Sequence, residues 1–307
     1  MNLPLWTDAL GWTLVHSLWQ GSLLFLLYWL SVRQLSAQQA RARYALALSI
    51  LGALALASGL TLWRLWPGAT GAAMGPVFPE MATSPGDTAL AGMTSQPWYA
   101  AATQTAMPWL GLAWLLGLVF QSLRWGAGYL GAQRLRRKGI SAVPPHWQAH
   151  LQRLQARLGL RGQVRLHLSD RVRDPLTLGF WRPVILIPVS MVSGLTPAQW
   201  EAILLHELAH IRRADYLIHL VQSLVELLFF FHPLTWFLSR EISREREACC
   251  DDLAVAACGD AFSYAEALTR LQRLRFHPQS PFAMNLQSKP GPFTHRIQRL
   301  FPSHPTP

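Results

Sequence analysis

Charge is what this sequence has least of. Asp, Glu, Lys and Arg make up 14% of its 307 residues, against about a quarter in soluble domains. That shortage excludes a chain that is water-soluble throughout. Acidic residues are the scarcer kind, 16 against 27 Lys and Arg, and the formal charge is +11. In a soluble protein such an excess would point to nucleic acid. Here the basic residues cluster at the ends of apolar runs, as the positive-inside rule requires, so no direct nucleic-acid contact is expected. Cysteine is also scarce: Cys249, Cys250 and Cys258 are odd in number, and two are adjacent and ill-placed to pair. They read as reduced thiols on a cytoplasmic face, which excludes a disulfide framework. The N-terminus lacks a basic leader region and a small-residue cleavage site, so its first apolar run is expected to be retained.

What the chain has in quantity is apolar: 51% hydrophobic residues, with 14 Trp. That combination describes a membrane protein with interfacial aromatic belts. Residues 10–32, 44–65 and 109–130 are each long enough to cross a bilayer, which takes roughly 20 apolar residues. His16 and Gln20 share a face of the first span and read as interhelical hydrogen-bonding groups. Arg33, Arg41 and Arg43 mark a short inner loop. Residues 66–107 are rich in Pro, Gly, Ala, Ser and Thr and contain no Lys or Arg, which makes them an outside linker by charge bias. Arg134, Arg136, Arg137 and Lys138 then form the strongest basic cluster, so the chain beyond Lys138 starts on the cytoplasmic side. The expected organisation is two spans in 1–65, an outside loop in 66–108, a third span in 109–131, a catalytic domain in 132–275 and a basic, Pro-rich cytoplasmic tail in 276–307.

Residues 140–215 read as soluble. Pro145 opens a helix with Trp147, Leu151, Leu154 and Leu158 at core spacing, and Gly159 ends it. Val164, Leu166 and Leu168 alternate with polar residues, a half-buried strand. Residues 175–180 and 184–187 look like two more strands around Trp181-Arg182-Pro183. Thr196-Pro197-Ala198-Gln199 is a helix start, with Thr as N-cap, Pro at the first helical position and Gln completing a capping box. The helix it launches carries His206-Glu207-Leu208-Ala209-His210.

In that H-E-x-x-H stretch the two histidines are four apart, so both rings leave one face and can grip a single ion. Glu207 stands where it can take a proton from a water activated by the ion. A helix with two surface histidines would give the same five letters, so the third ligand decides. It is not six residues on, where Tyr216 stands, and the glycine that would accompany such a ligand is Arg213. Downstream, Glu245-Arg246-Glu247 through Asp251-Asp252 is a helix dense in carboxylates, with Glu247 and Asp251 on one face. Glu247, Glu245 and Asp251 all compete for the third position, and Asp251 is also placed to orient a ligating His. Were the H-E-x-x-H absent, ion-paired solvated charge would be the plainer explanation of that helix.

Residues 205–211, the segment His232-Pro233-Leu234-Thr235-Trp236, the Glu245 to Asp252 stretch and the opening Gly11 to Gly21 together resemble the membrane zinc metallopeptidase family of β-lactam-sensing antirepressor transducers. The resemblance runs from the first span to about Phe301. It implies a gluzincin pattern, H-E-x-x-H followed by E-x-x-x-D. His206, His210 and Glu247 would then hold Zn2+, with Glu207 as general base and Asp251 orienting a ligand. Pro175, Leu176, Thr177, Leu178, Gly179 and Phe180 would form the edge strand on which a substrate peptide adds. The best-known members continue into a further span and an extracellular penicillin-binding sensor domain. This sequence ends at Pro307 with neither, so its residues do not support an expectation of β-lactam sensing by acylation.

These readings converge on a mainly α membrane protein. Its expected parts are three transmembrane helices, a membrane-dipping helical hairpin and a small α+β gluzincin-type protease domain facing the cytoplasm of the bacterial inner membrane. Residues 216–238 pose a test, because a single crossing there would put Glu247 outside and His206 inside. The polar stripe His219, Gln222, Ser223 and Glu226, and the break at His232-Pro233, favour a hairpin over 216–246 that dips into the inner leaflet and returns. The implied function is a signal-transducing zinc endopeptidase that cleaves a cytoplasmic protein, a DNA-binding repressor in particular, or itself, with a homodimer as one arrangement. The alternatives are a housekeeping membrane protease and a scaffold with a structural zinc site. His232 and Tyr216 are weak candidates for stabilising an oxyanion, and His277, His295 and His304 read as surface histidines.

Overall fold

A computed structural model describes residues 5–67, 98–179, 181–192, 194–275 and 292–301. Most of the expected outside loop, Phe180 and most of the tail, including His277 and His304, lie outside those residues. Three helices carry the apolar runs: α1 (Leu5–Val32), α2 (Ala40–Leu65) and α3 (Trp98–Leu135). Each is long and apolar enough to cross a membrane. Their large side chains face outward, with Leu116, Phe120 and Leu123 of α3 73%, 66% and 69% exposed. That is a surface suited to lipid rather than water. Between the helices the contacts are small. A Cβ on Gly11 would stand 2.2 Å from the Met107 carbonyl oxygen, and one on Gly111 would stand 2.6 Å from that of Thr7, so α1 and α3 approach backbone to backbone. Gln20 donates to Thr61 of α2 at 2.9 Å, the interhelical bond its position suggested. His16 instead accepts from Trp19 of its own helix.

The α+β part is a four-stranded sheet in the order β1-β2-β4-β3. Its strands are β1 (Ile140–Ala142), β2 (Arg165–Ser169), β3 (Leu176–Leu178) and β4 (Val184–Pro188). β2 and β4 are parallel, with Leu166 opposite Ile185, while β1 and β3 pair antiparallel on the two sides. β4 is buried along its whole length, as a central strand must be. β1 has too few residues to show a period, and the sequence reading missed it. The sheet packs with α4 (Pro145–Arg157), α5 (Pro197–Arg212) and α8 (Ala261–Arg275) on one core built from Leu151, Leu166, Ile185, Trp200, Leu204 and Tyr264, among others. Thr196 and Gln199 make the reciprocal capping-box bonds that start α5.

The stretch over 216–246 does turn back. α6 (Asp215–Leu228) ends at Phe229, and α7 (Pro233–Cys258) begins after His232, whose ring accepts from the Leu234 amide. The turn between them is wedged among the membrane helices. His232 Nε2 reaches the Ser17 carbonyl at 3.0 Å, Trp114 of α3 donates to the Leu228 carbonyl at 2.9 Å, and Gly21 leaves room for the His232 ring. Gly21 lies about 16 Å along α1 from its Val32 end, at about 1.5 Å per residue. The tip of the turn therefore packs against the middle of α1, well back from its Val32 end.

The tail reading needs correcting. α9 (Pro292–Leu300) packs Phe293, Ile297 and Leu300 against the hydrophobic core of the α+β part, so the segment placed outside the domain returns to it. Arg299 bonds the carbonyls of Ala37 and Gln38 in the α1–α2 loop and the Asp252 carboxylate of α7. His295 is exposed, as expected.

Candidate metal centre

The 3.6-residue period of α5 brings the His206 and His210 rings to one face, 4.9 Å apart between centroids. α7, returning from the turn at His232, lays Glu247 across them. Its carboxylate oxygens lie 3.5 Å from His206 Nε2 and 3.8 Å from His210 Nε2. These three residues offer ligand atoms close enough to hold one metal ion. Glu245, the rival on sequence, points elsewhere and pairs with Arg43 of α2 at 2.9 Å and with Arg244.

What lies behind the two imidazoles sets their chemistry. The Tyr264 hydroxyl donates to Asp251 at 2.7 Å and lies 2.9 Å from His206 Nδ1. Its one proton is committed, so towards the ring it accepts, and Nδ1 is the protonated nitrogen. Asp251 itself lies 3.2 Å from the same Nδ1. On the other ring, His210 Nδ1 faces Asp215 at 2.8 Å. With Nδ1 engaged on both rings, Nε2 is the atom each ring leaves facing Glu247, and it ligates once free of its proton. Asp215 reaches His210 because Ala214, at φ 55°, puts a left-handed turn directly after α5, a conformation that costs a non-glycine residue about 1 kcal/mol. Cys250 donates to Asp215 at 3.2 Å. Burial pushes that thiol up, so it serves as a donor to Asp215 and not as a thiolate.

Electrostatics follow the same plan. Burial alone would push His206 down, but the Asp251 and Glu247 carboxylates outweigh it and raise it to about 9. Burial would raise Glu247, yet the two histidines hold it at about 2. Asp251 is held well below the usual carboxylate range, since His206 and Arg296 outweigh its burial. Arg296 of α9 grips Asp251 at 2.9 and 2.6 Å.

Glu207 faces the same cavity of about 370 Å³. Its Oε2 accepts from the Thr177 hydroxyl of β3 at 2.8 Å. β3 is an edge of the sheet, and Pro175, Leu176, Thr177 and Gly179 line the cavity. Leu178 turns instead to a small cluster with Val172, Val184 and Leu186. The strand is shorter than the expected 175–180, because Gly179 adopts φ 90° and ends it. The structure thus brings together His206, Glu207, His210, Glu247, Asp251 and the described part of the 175–180 segment. Tyr216 lines the cavity as well, while His232 is spent on the Ser17 carbonyl of α1. Asp215, Tyr264 and Arg296 were missed. Asp215 carried one signal, a carboxylate just past the end of the H-E-x-x-H helix.

The family profile of BlaR1 peptidase M56 matches residues 13–300, nearly the whole chain. The chain belongs to that family. Membership in BlaR1 peptidase M56 implies a metallopeptidase-type protease, and the His206, His210 and Glu247 donors suit a metal. Among curated relatives, the regulatory protein BlaR1 of Bacillus licheniformis is 37% identical over 89 residues, 29% of this chain and 15% of that protein. The methicillin resistance mecR1 protein of Staphylococcus aureus is 23% identical over 88 residues, with the same shares. The regulatory protein BlaR1 of Staphylococcus aureus is 25% identical over 88 residues, again 15% of its length. The chain thus spans only a small part of the curated relatives it matches.

Proposed function

We propose that this member of the BlaR1 peptidase M56 family is an integral-membrane zinc endopeptidase whose site faces the cytoplasm of a bacterial inner membrane. The observation that carries the reading is the spacing of the three donors. Ligands about 2.05 Å from a tetrahedral zinc lie about 3.3 Å from one another, close to the 3.5 and 3.8 Å that separate Glu247 from the two Nε2 atoms. An imidazole–carboxylate hydrogen bond would draw those atoms to about 2.8 Å. Zinc held there would lower the pKa of a water towards about 7 and polarise the scissile carbonyl.

The chain's own residues supply the rest. Glu207, with Oε2 held by Thr177, takes the proton of the attacking water and returns it to the leaving amine. The free edge of β3 offers backbone groups to an extended peptide, which holds its scissile bond above α5. Asp251, through Tyr264, and Asp215 keep both rings in the ligating tautomer. A structural zinc site would have no use for a glutamate beside an open cavity, which favours catalysis over a scaffold.

Two of the three relatives are regulatory proteins by name, and the corresponding role here is signal transduction. The substrate is a cytoplasmic protein, a DNA-binding repressor in particular, or the chain itself. The test is a substrate trap. Full-length Glu207→Gln protein should retain zinc, lose about 10²- to 10⁴-fold in cleavage, the usual worth of a general base, and hold its substrate uncleaved. Undiminished cleavage would remove Glu207 from the mechanism. Trapping many unrelated damaged proteins would favour a housekeeping protease.

A further inference from the structure

We infer that Arg246 forms a substrate subsite for an acidic side chain beside the scissile bond. This rests on the peptidase reading and extends it to specificity. Arg246 lines the cavity that contains His206, Glu207, His210 and Glu247, and its buried Nη1 has no hydrogen-bond partner. No other described residue lining that cavity has a buried, unpartnered side-chain nitrogen or oxygen.

The contrast with neighbouring arginines is sharp. Arg43 is paired with Glu245, Arg213 with Asp215, Arg244 with Glu241 and Glu245, Arg296 with Asp251 and Arg299 with Asp252. Nor do the helix neighbours of Arg246 help. On α7 the residues three and four away are Ser243, Cys249, Ile242 and Cys250, none of them acidic, whereas Arg244 has Glu241 one turn back. The carboxylates that share the cavity are already engaged: Glu207 by Thr177, Asp215 by His210 and Arg213, Glu247 by the histidines, and Asp174 in an interaction of its own.

A buried N–H without an acceptor is costly, so the acceptor arrives with the ligand. The ligand at this site is a polypeptide, and its oxygens are backbone carbonyls and carboxylates. A guanidinium bonds a carboxylate through two charge-assisted contacts, about twice as strong as a contact to a neutral carbonyl. Arg246, next to Glu247 in the chain, shares the cavity lining with Ala214, Tyr216 and His219 and with Thr177 of β3.

The experiment uses the zinc-loaded full-length protein in detergent and fluorogenic peptide pairs that differ only by Glu or Gln at each position flanking the cleaved bond. At one position the wild type should favour Glu by about tenfold or more in kcat/KM, as expected of a charge-assisted bond. Arg246→Met should bring that ratio close to one, and Arg246→Lys should leave an intermediate value, while zinc content and melting report on folding. A wild-type ratio near one at every position overturns the inference even if no variant folds. So does an Arg246→Met variant that lowers Glu and Gln peptides equally, since the arginine would then serve a backbone carbonyl. Absence of any zinc-dependent cleavage by the wild type would instead refute the peptidase reading, a distinguishable failure.

Discussion

Replacing Asp215 by Asn should weaken zinc binding without touching any ligand. The Asp215 carboxylate lies 2.8 Å from His210 Nδ1, is buried, and also accepts from Cys250 and Arg213. Asn keeps an oxygen that can accept from Nδ1 but removes the negative charge that makes the imidazole a better donor to metal. Loss of such an outer partner costs about 10- to 100-fold in metal affinity, or about 1.4 to 2.7 kcal/mol. Asp215→Asn, which preserves one hydrogen bond, belongs near the lower figure. Asp215→Ala, which leaves Nδ1 and the Cys250 thiol without an acceptor, belongs near the upper. Competition for zinc against a chromogenic chelator, on the full chain in detergent, measures both. Asp252→Asn is the internal control, because that carboxylate turns to Arg299 and its loss should leave affinity unchanged. Equal affinities for wild type and Asp215→Ala would refute the reasoning, as would an equal loss in Asp252→Asn.

Three other outcomes are expected of the same structure. In the absence of metal His206 titrates near 9, above its ordinary value of 6.5. Its contribution to stability is therefore complete below about pH 6.5 and is lost as pH rises through 9, while zinc must displace its proton. Apparent zinc affinity should fall about tenfold for each pH unit below 9; a flat chelator titration between pH 6.5 and 8 would contradict this. Thr177→Val deletes the donor to Glu207 while keeping a β-branched residue on the strand. It should lower kcat by about tenfold, the scale of one charge-assisted hydrogen bond, with zinc content unchanged; an unchanged kcat would show that the bond does not orient the base. Gly21→Ala puts a Cβ 2.3 Å from the His232 ring and should destabilise by about 1–3 kcal/mol. Gly52→Ala, with open space around it, should be neutral or mildly stabilising, and equal melting shifts for the two would remove Gly21 from the α1–α7 contact.

The resemblance found in the sequence and the family match agree, and their agreement has a local cause. The pairing of His206 and His210 on one face, with Glu207 beside them, is written within about one helical turn, and the capping box that starts α5 is written within four residues. Apolar length betrayed the three spans in the same way. Short-range periodicity needs no knowledge of the rest of the chain. The return of α6 into α7 was also legible, because one ion cannot be shared across a bilayer and the break at His232-Pro233 stood where the turn had to be.

Tertiary structure decided what depends on distant segments meeting. Glu245 and Glu247 are two residues apart, and on sequence both could ligate. The crossing of α7 over α5 sends one to the metal face and the other to Arg43. Tyr264 and Arg296 look like ordinary residues of an amphipathic helix and a basic tail, and only the docking of α8 and α9 makes them hold Asp251. Arg246 looks like any arginine in a charged helix until the pairing of its neighbours leaves its buried Nη1 without an acceptor. A sequence determines local periodicity and chemical type, whereas the identity of a partner is a property of packing, which joins residues far apart in the chain.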